Sequence, residues 1–110
     1  MSKLQPDGPV TTDGRYFVVR GRLWRMSDPS LTQDTRIRLV SELMAARRGV
    51  KDALRNRDAV ALRHARSAVD RTKRALGERG PVWWDDGAPD YNRRMAINTP
   101  YAQWFKDLTV

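Results

Sequence analysis

Fourteen residues near the C-terminus hold much of the side-chain chemistry in this chain. Between Gly80 and Arg93 lie two adjacent indoles, Trp83 and Trp84, the carboxylates Asp85, Asp86 and Asp90, the phenol Tyr91 and the guanidinium Arg93. Aromatic walls with a few convergent polar groups are how small-ligand sites are built, so Trp83, Trp84, Asp85, Asp90, Tyr91 and Arg93 form one candidate pocket. The same composition also has a structural reading. Trp and Tyr are large core residues with a polar handle, and Asp and Asn beside Gly and Pro are turn formers.

The second candidate is a charged face. Arg47 to Arg79 carries eleven Lys or Arg against four Asp or Glu, which accounts for most of the net charge of +8. A potential of that sign attracts nucleic acid, acidic proteins and anionic lipid. On a helical wheel Arg48, Lys51 and Arg55 fall on one flank of an apolar stripe, and Arg63, Arg66, Lys73 and Arg74 fall on the flank of a second stripe displaced in the same rotational sense. In an antiparallel helix pair, equal rotation from the contact line brings both flanks to one side, which makes a face for phosphates or an acidic partner geometrically available. Arg48 with Asp52, and Asp70 with both Arg66 and Arg74, are equally spaced for ordinary surface ion pairs on a solvated face. Arg47 falls inside the first stripe. Either it pairs with one of Asp85, Asp86 and Asp90 and pins the Trp-rich loop, or it sits at the stripe's edge and reaches water.

Other chemistries have little to stand on. His64, the sole histidine, falls away from the apolar seam and is expected to be exposed. Asp85, Asp86 and Asp90 lack the spacing of a calcium loop. There is no Gly-rich phosphate loop, no nucleophile elbow and no cysteine, so no catalytic residue, metal or cofactor is expected. Lack of cysteine points to the cytosol. Met1 to Val10 is polar, with neither the apolar core of a signal peptide nor a membrane span.

The elements that must position these residues can be read from periodicity. Residues 1–12 read as a flexible tail, and 13–110 as a single domain. Within it, 13–26 suits a β-ribbon: Tyr16, Phe17, Val18 and Val19 in one strand, Leu23, Trp24 and Met26 with the other, and Arg20-Gly21 as the turn. A two-stranded ribbon cannot stand alone in water and should lie against the helices. Thr32 caps a helix from about Gln33 to Arg55, with Leu39, Val40, Leu43, Met44, Ala46, Val50 and Leu54 at helical spacing. Gly49 inside it implies a close helix contact or chance. Asn56-Arg57-Asp58 breaks the chain, Asn56 being suited to the left-handed C-cap conformation and Asp58 to the next N-cap. A second helix follows from about Ala59 to Glu78, with a seam of Leu62, Ala65, Val69, Thr72 and Leu76. The short connection makes 32–78 an antiparallel hairpin, the alternative being one continuous rod. Residues 80–98 form an aromatic and acidic loop. Thr99 and Pro100 open a last helix over 99–108, with Tyr101, Trp104, Phe105 and Leu108 on one packed side. The fold expected is mainly helical α+β: a short N-terminal β-ribbon packed on an antiparallel helical hairpin, an aromatic loop and a short C-terminal helix.

The string Gly80-Pro81-Val82-Trp83-Trp84-Asp85-Asp86-Gly87-Ala88-Pro89-Asp90-Tyr91-Asn92-Arg93, with Asn98-Thr99-Pro100-Tyr101 and Trp104 after it and Gly14-Arg15-Tyr16 and Gly21-Arg22-Leu23-Trp24-Arg25 before it, resembles a family of short uncharacterised bacterial proteins. Some members carry the label biopolymer transporter Tol. The chain shows neither the export signal and strand repeats of a Tol propeller nor the transmembrane helix of a Tol membrane subunit. The resemblance implies a bacterial, cytoplasmic protein and brings no catalytic residues with it.

These readings imply a small non-enzymatic binding or interaction protein using the basic hairpin face, with an unidentified protein or acidic partner. A sequence-nonspecific nucleic-acid binder is the first alternative, no sequence-specific recognition motif being present. A small-ligand or enzymatic site in the Trp/Asp loop is the second. Oligomeric state is not legible.

Overall fold

The computed structural model describes residues 6–108. Strand β1, Tyr16–Val19, pairs antiparallel with β2, Arg22–Arg25, with Tyr16 opposite Arg25 and Val19 opposite Arg22. The two-residue turn is Arg20-Gly21, as its composition suggests, and both take positive φ, 53° and 80°. That backbone matches the right-handed twist of the flanking strands. Both ribbon edges are covered. Val10 bridges Phe17 on one side and Met95 bridges Arg22 on the other. Leu23 also accepts from Arg93 N and donates to Arg94 O.

This edge pairing changes the picture of the N-terminal tail. The described part of residues 1–12 is docked: Thr11 is buried, its amide donates to Tyr16 O and its Oγ1 accepts from Tyr16 N. An unpaired strand edge needs partners for its N–H and C=O groups, and this segment supplies them. The flexible-tail expectation for residues 1–5 lies outside the described residues.

Helix α1 is Gln33–Arg55 and α2 is Ala59–Leu76. The Thr32 hydroxyl accepts from Thr35 N and the Asp58 carboxylate from Ala61 N, so both N-caps fall where the sequence puts them. The chain reverses between the helices, which excludes the continuous rod. The left-handed residue is Arg57 (φ 53°) and not Asn56, whose φ is −87°. Arg57 N donates to Leu54 O and Asp58 N to Ala53 O, a Schellman closure of α1. Leu39, Val40, Leu43 and Leu76 form the hairpin core, with Leu31 and Val69 packed on it. Toward the tip the seam runs through small residues: a Cβ on Gly49 would stand 3.4 Å from that of Ala65, and Ala53 is buried. Gly49 thus marks a close approach of the helices.

A second cluster unites the ribbon with the C-terminal third. Residues opposite one another in the pair share a face, so Tyr16, Val18 and Leu23 point together into a core closed by Trp84 and Ala96. Trp83, Tyr91, Tyr101, Trp104 and Phe105 pack around it. Tyr16 meets Trp84 and Tyr101 edge-on, at 5.7 and 5.4 Å between ring centroids, the geometry aromatic quadrupoles favour. The other ribbon face, Phe17 and Trp24, looks toward the C-terminal end of α2. Thr99 does not cap the last helix: its Oγ1 accepts from Tyr101 N, Pro100 and Tyr101 form a turn after a 3-10 turn at Ala96–Asn98, and Tyr101 stands at the N-cap without a side-chain capping bond. Helix α3 begins at Ala102 and runs to Asp107. Leu108, expected on the packed side, is exposed.

One buried cation joins the two clusters, and it is Arg25. Only 3% exposed, it donates from Nη1 to Gly77 O and Pro81 O, and from Nη2 to Gly80 O and Asp90 Oδ2, all at 2.8 to 3.1 Å. Its amide donates to Asn92 Oδ1 at 2.9 Å. A buried guanidinium needs acceptors for its fork of donors, and the turn after α2 delivers three carbonyls to it. Asp86 pairs with Arg15. The proposal that Arg47 pins the loop is therefore corrected: Asp90 and Asp86 are held by Arg25 and Arg15. Arg47 lies half-buried at the stripe's edge.

Candidate functional site

The periodicity of the helices fixes where each cation points. At about 100° per residue, Arg47 stands about 40° and Lys51 about 80° round α1 from the fully buried Leu43, with Arg55 and Arg48 further round at about 120° and 140°. Measured on α2 from the fully buried Leu76 in the same sense, Lys73 and Arg66 stand at about 60° and 80°, and Arg63 and Arg74 at about 140° and 160°. Arg47, Lys51, Arg66 and Lys73 thus border the cleft on one side of the hairpin, while Arg48, Arg55, Arg63 and Arg74 continue that flank outward. Of this outer group, Arg55 pairs with Asp52 and Arg74 with Asp70. Asp70 also holds Arg79, at 3.0 Å.

Three concavities lie along this side. One, about 390 Å³ and open, is lined by Val50 and Val69 with Arg47, Arg66 and Arg79, so an apolar floor sits between guanidinium groups. A larger and shallower one beyond it, about 520 Å³, is lined by Leu62, Arg63, Arg66 and Asp70. The smallest, about 40 Å³, lies where three parts of the chain meet. The ribbon supplies Phe17, Trp24 and Arg25, the end of α2 and its turn supply Lys73, Glu78 and Arg79, and the loop supplies Asn92 and Arg93. Arg93 stands over the Trp24 ring, 6.0 Å from its centroid.

Lys73 is the electrostatic focus of this region. Burial pulls its ammonium below the usual lysine range. Glu78 opposes that shift, while Arg47, Arg79 and Arg93 add to it. The Glu78 carboxylate also accepts from Ser27 Oγ at 2.7 Å. A cation held half-buried among three others favours the approach of an anion. Arg47, Arg79 and Arg93 stood outside the basic set read from the sequence. Arg47 could have been assigned by its position next to the cleft. Arg79 and Arg93 lie beyond the helices, where helical periodicity says nothing.

Of the Trp/Asp candidate, Trp83, Trp84 and Tyr91 pack together in the ribbon core. Trp84 is buried and its Nε1 donates to Ala88 O. Trp83 donates from Nε1 to Met26 O, and the two rings meet edge-on at 5.0 Å. Tyr91 packs edge-on with Tyr101, Asp85 is exposed and Asp90 is bound to Arg25. Arg93 alone of the six lines the small concavity. His64 is exposed. Among the described residues no three His, Cys, Asp or Glu side chains gather as a metal would require, and no helix is long and apolar enough to cross a membrane. No family model, curated protein or solved structure matches the chain.

Proposed function

We propose that the protein is a small non-enzymatic binding protein that receives an acidic protein partner on the basic side of its helical hairpin. The observation that carries this is the cleft in which Val50 and Val69 lie between Arg47, Arg66 and Arg79. Elsewhere along α1, the exposed Ile37, Met44 and Leu54 fall in the same rotational sense from Leu43 as Arg47 and Lys51. Each such side chain is worth about 1.5–3 kcal/mol when buried. A phosphate backbone would engage the guanidinium groups and leave these apolar atoms in water, whereas an acidic protein segment with apolar residues uses both. The net charge of +8 adds long-range attraction for such a partner.

The test is capture from bacterial extract with and without nuclease, comparing the parent with an Arg47→Glu, Arg66→Glu variant. Acidic proteins should remain bound after nuclease and be released by the charge reversal. If the bound material disappears with nuclease and its retention falls steeply with salt, the nucleic-acid alternative holds instead. If the reversed variant retains the same proteins, the hairpin side is not the binding surface.

A further inference from the structure

We propose that the small concavity beside Lys73 is a binding site for a phosphate group, as the free ion or as a monoester. It shares Arg79 with the hairpin cleft, but the ribbon and the loop build most of it. Three observations meet there. The first is an unused donor. Arg25 lines the space, and while its two Nη atoms are taken by three carbonyls and Asp90, its buried Nε has no acceptor among the described residues. A buried N–H without an acceptor is costly, and an anion oxygen would satisfy it.

The second observation is the charge balance. Arg25, Lys73, Arg79 and Arg93 line the space with one acid, Glu78. Asp90 answers Arg25 and Asp70 answers Arg79. With Glu78 counted against a third cation, one remains, and Arg47, which acts on Lys73 from α1, makes two. A carboxylate would answer only one of these charges, while a phosphate group carries about −1.5 to −2 near neutrality. The third is size. A water molecule needs about 10–15 Å³ of such space, so about 40 Å³ admits about three water-sized groups, the number of oxygens a phosphate monoester presents. Arginine Nε–H and lysine ammonium groups form the short charge-assisted bonds that phosphate oxygens accept. The depressed Lys73 ammonium is the group such an anion would stabilise most.

The test uses the full chain labelled with ¹⁵N, following arginine Nε–H resonances as inorganic phosphate is added, with sodium chloride and sodium acetate at matched ionic strength. The Arg25 Nε–H should shift saturably with phosphate and little with the other two salts. Lys73→Gln should weaken binding about tenfold, the loss of one charge-assisted bond, and Arg93→Gln should weaken it in the same direction. Arg48→Gln, on the outer flank, should leave it unchanged. Lys73→Gln removes a half-buried charge and should keep the fold, which thermal melting checks. A glycerol 3-phosphate arm separates the sources: saturation there shows that an esterified group is accepted, and binding of inorganic phosphate alone limits the site to the free ion. Equal shifts with chloride, shifts spread evenly over exposed arginines, or parent-like affinity in Lys73→Gln would each overturn the proposal.

Discussion

Replacing Arg25 with Met is the sharpest perturbation of this fold. The change keeps most of the stem's apolar volume and deletes the donors that hold Gly77 O, Gly80 O, Pro81 O and Asp90 together. Removing one partner of a buried ion pair costs about 3–5 kcal/mol. Here the Asp90 side chain is 39% exposed and can rehydrate, which moves the pair toward the lower end. Three carbonyls lose their donor as well, at about 1 kcal/mol each where water cannot replace it. The sum is about 3–6 kcal/mol, and at about 4–8 °C per kcal/mol for a domain of this class the melting temperature should fall by about 12–48 °C. Urea unfolding followed by tryptophan fluorescence measures it, since Trp83 and Trp84 sit on the segment that Arg25 secures. Arg47→Met is the matched control, expected to stay within about 0.5 kcal/mol of the parent as a surface substitution. The reasoning fails if Arg25→Met loses less than about 1 kcal/mol, or if Arg47→Met loses as much as Arg25→Met.

Two further outcomes follow from the backbone and the carboxylates. Arg20 holds φ 53° in the ribbon turn, and Arg20→Asn should stabilise the chain by about 0.5–1 kcal/mol, because Asn-Gly suits a turn with two positive φ angles; a lower urea midpoint would refute this. In acid, three carboxylates matter. Burial would raise Asp13, but hydrogen bonds from Tyr101, Thr11 and the Arg15 amide outweigh it and hold the group below its ordinary value. Asp86 is lowered chiefly by Arg15, and Asp70 by Arg79 and then Arg74. With folded values below the ordinary Asp value of about 3.9, the unfolded chain binds more protons. Their stabilisation is present above that pH and is lost as pH falls through the folded values. Melting temperature should therefore drop below about pH 4, and Asp13→Asn should flatten part of that drop; the same slope in the variant would remove Asp13 from the account.

What the sequence reveals and what it hides divides along the range of the forces involved. The limits of α1, the start of α2, the Thr32 and Asp58 caps and the ribbon turn are set within a few residues of chain, and all are legible; α2 ends at Leu76 rather than Glu78, and α3 covers Ala102–Asp107 rather than 99–108. The left-handed residue falls at Arg57 because Asp58 must be free to cap α2 and α1 closes on Leu54 and Ala53. That closure overrides the preference of Asn56 for the conformation, a cost of about 1–2 kcal/mol. The rotational sense of the basic flank is likewise a local property, so Arg66 and Lys73 emerge on the side where periodicity puts them. Burial is not local. Arg25 alternates with Leu23 on the inward ribbon face, a signal present in the strand pattern, yet only the return of the 77–81 turn shows that three carbonyls await it. Lys73 shows the same limit from the other direction. As a residue on α2 it is one cation among many, and it becomes the centre of a site only because Trp24, from the ribbon, and Arg93, from the loop, close over the end of the helix. A site assembled from three distant segments leaves no spacing for a sequence motif to record, so its chemistry must be sought in the unpaired donor and the uncancelled charge that the packing leaves behind.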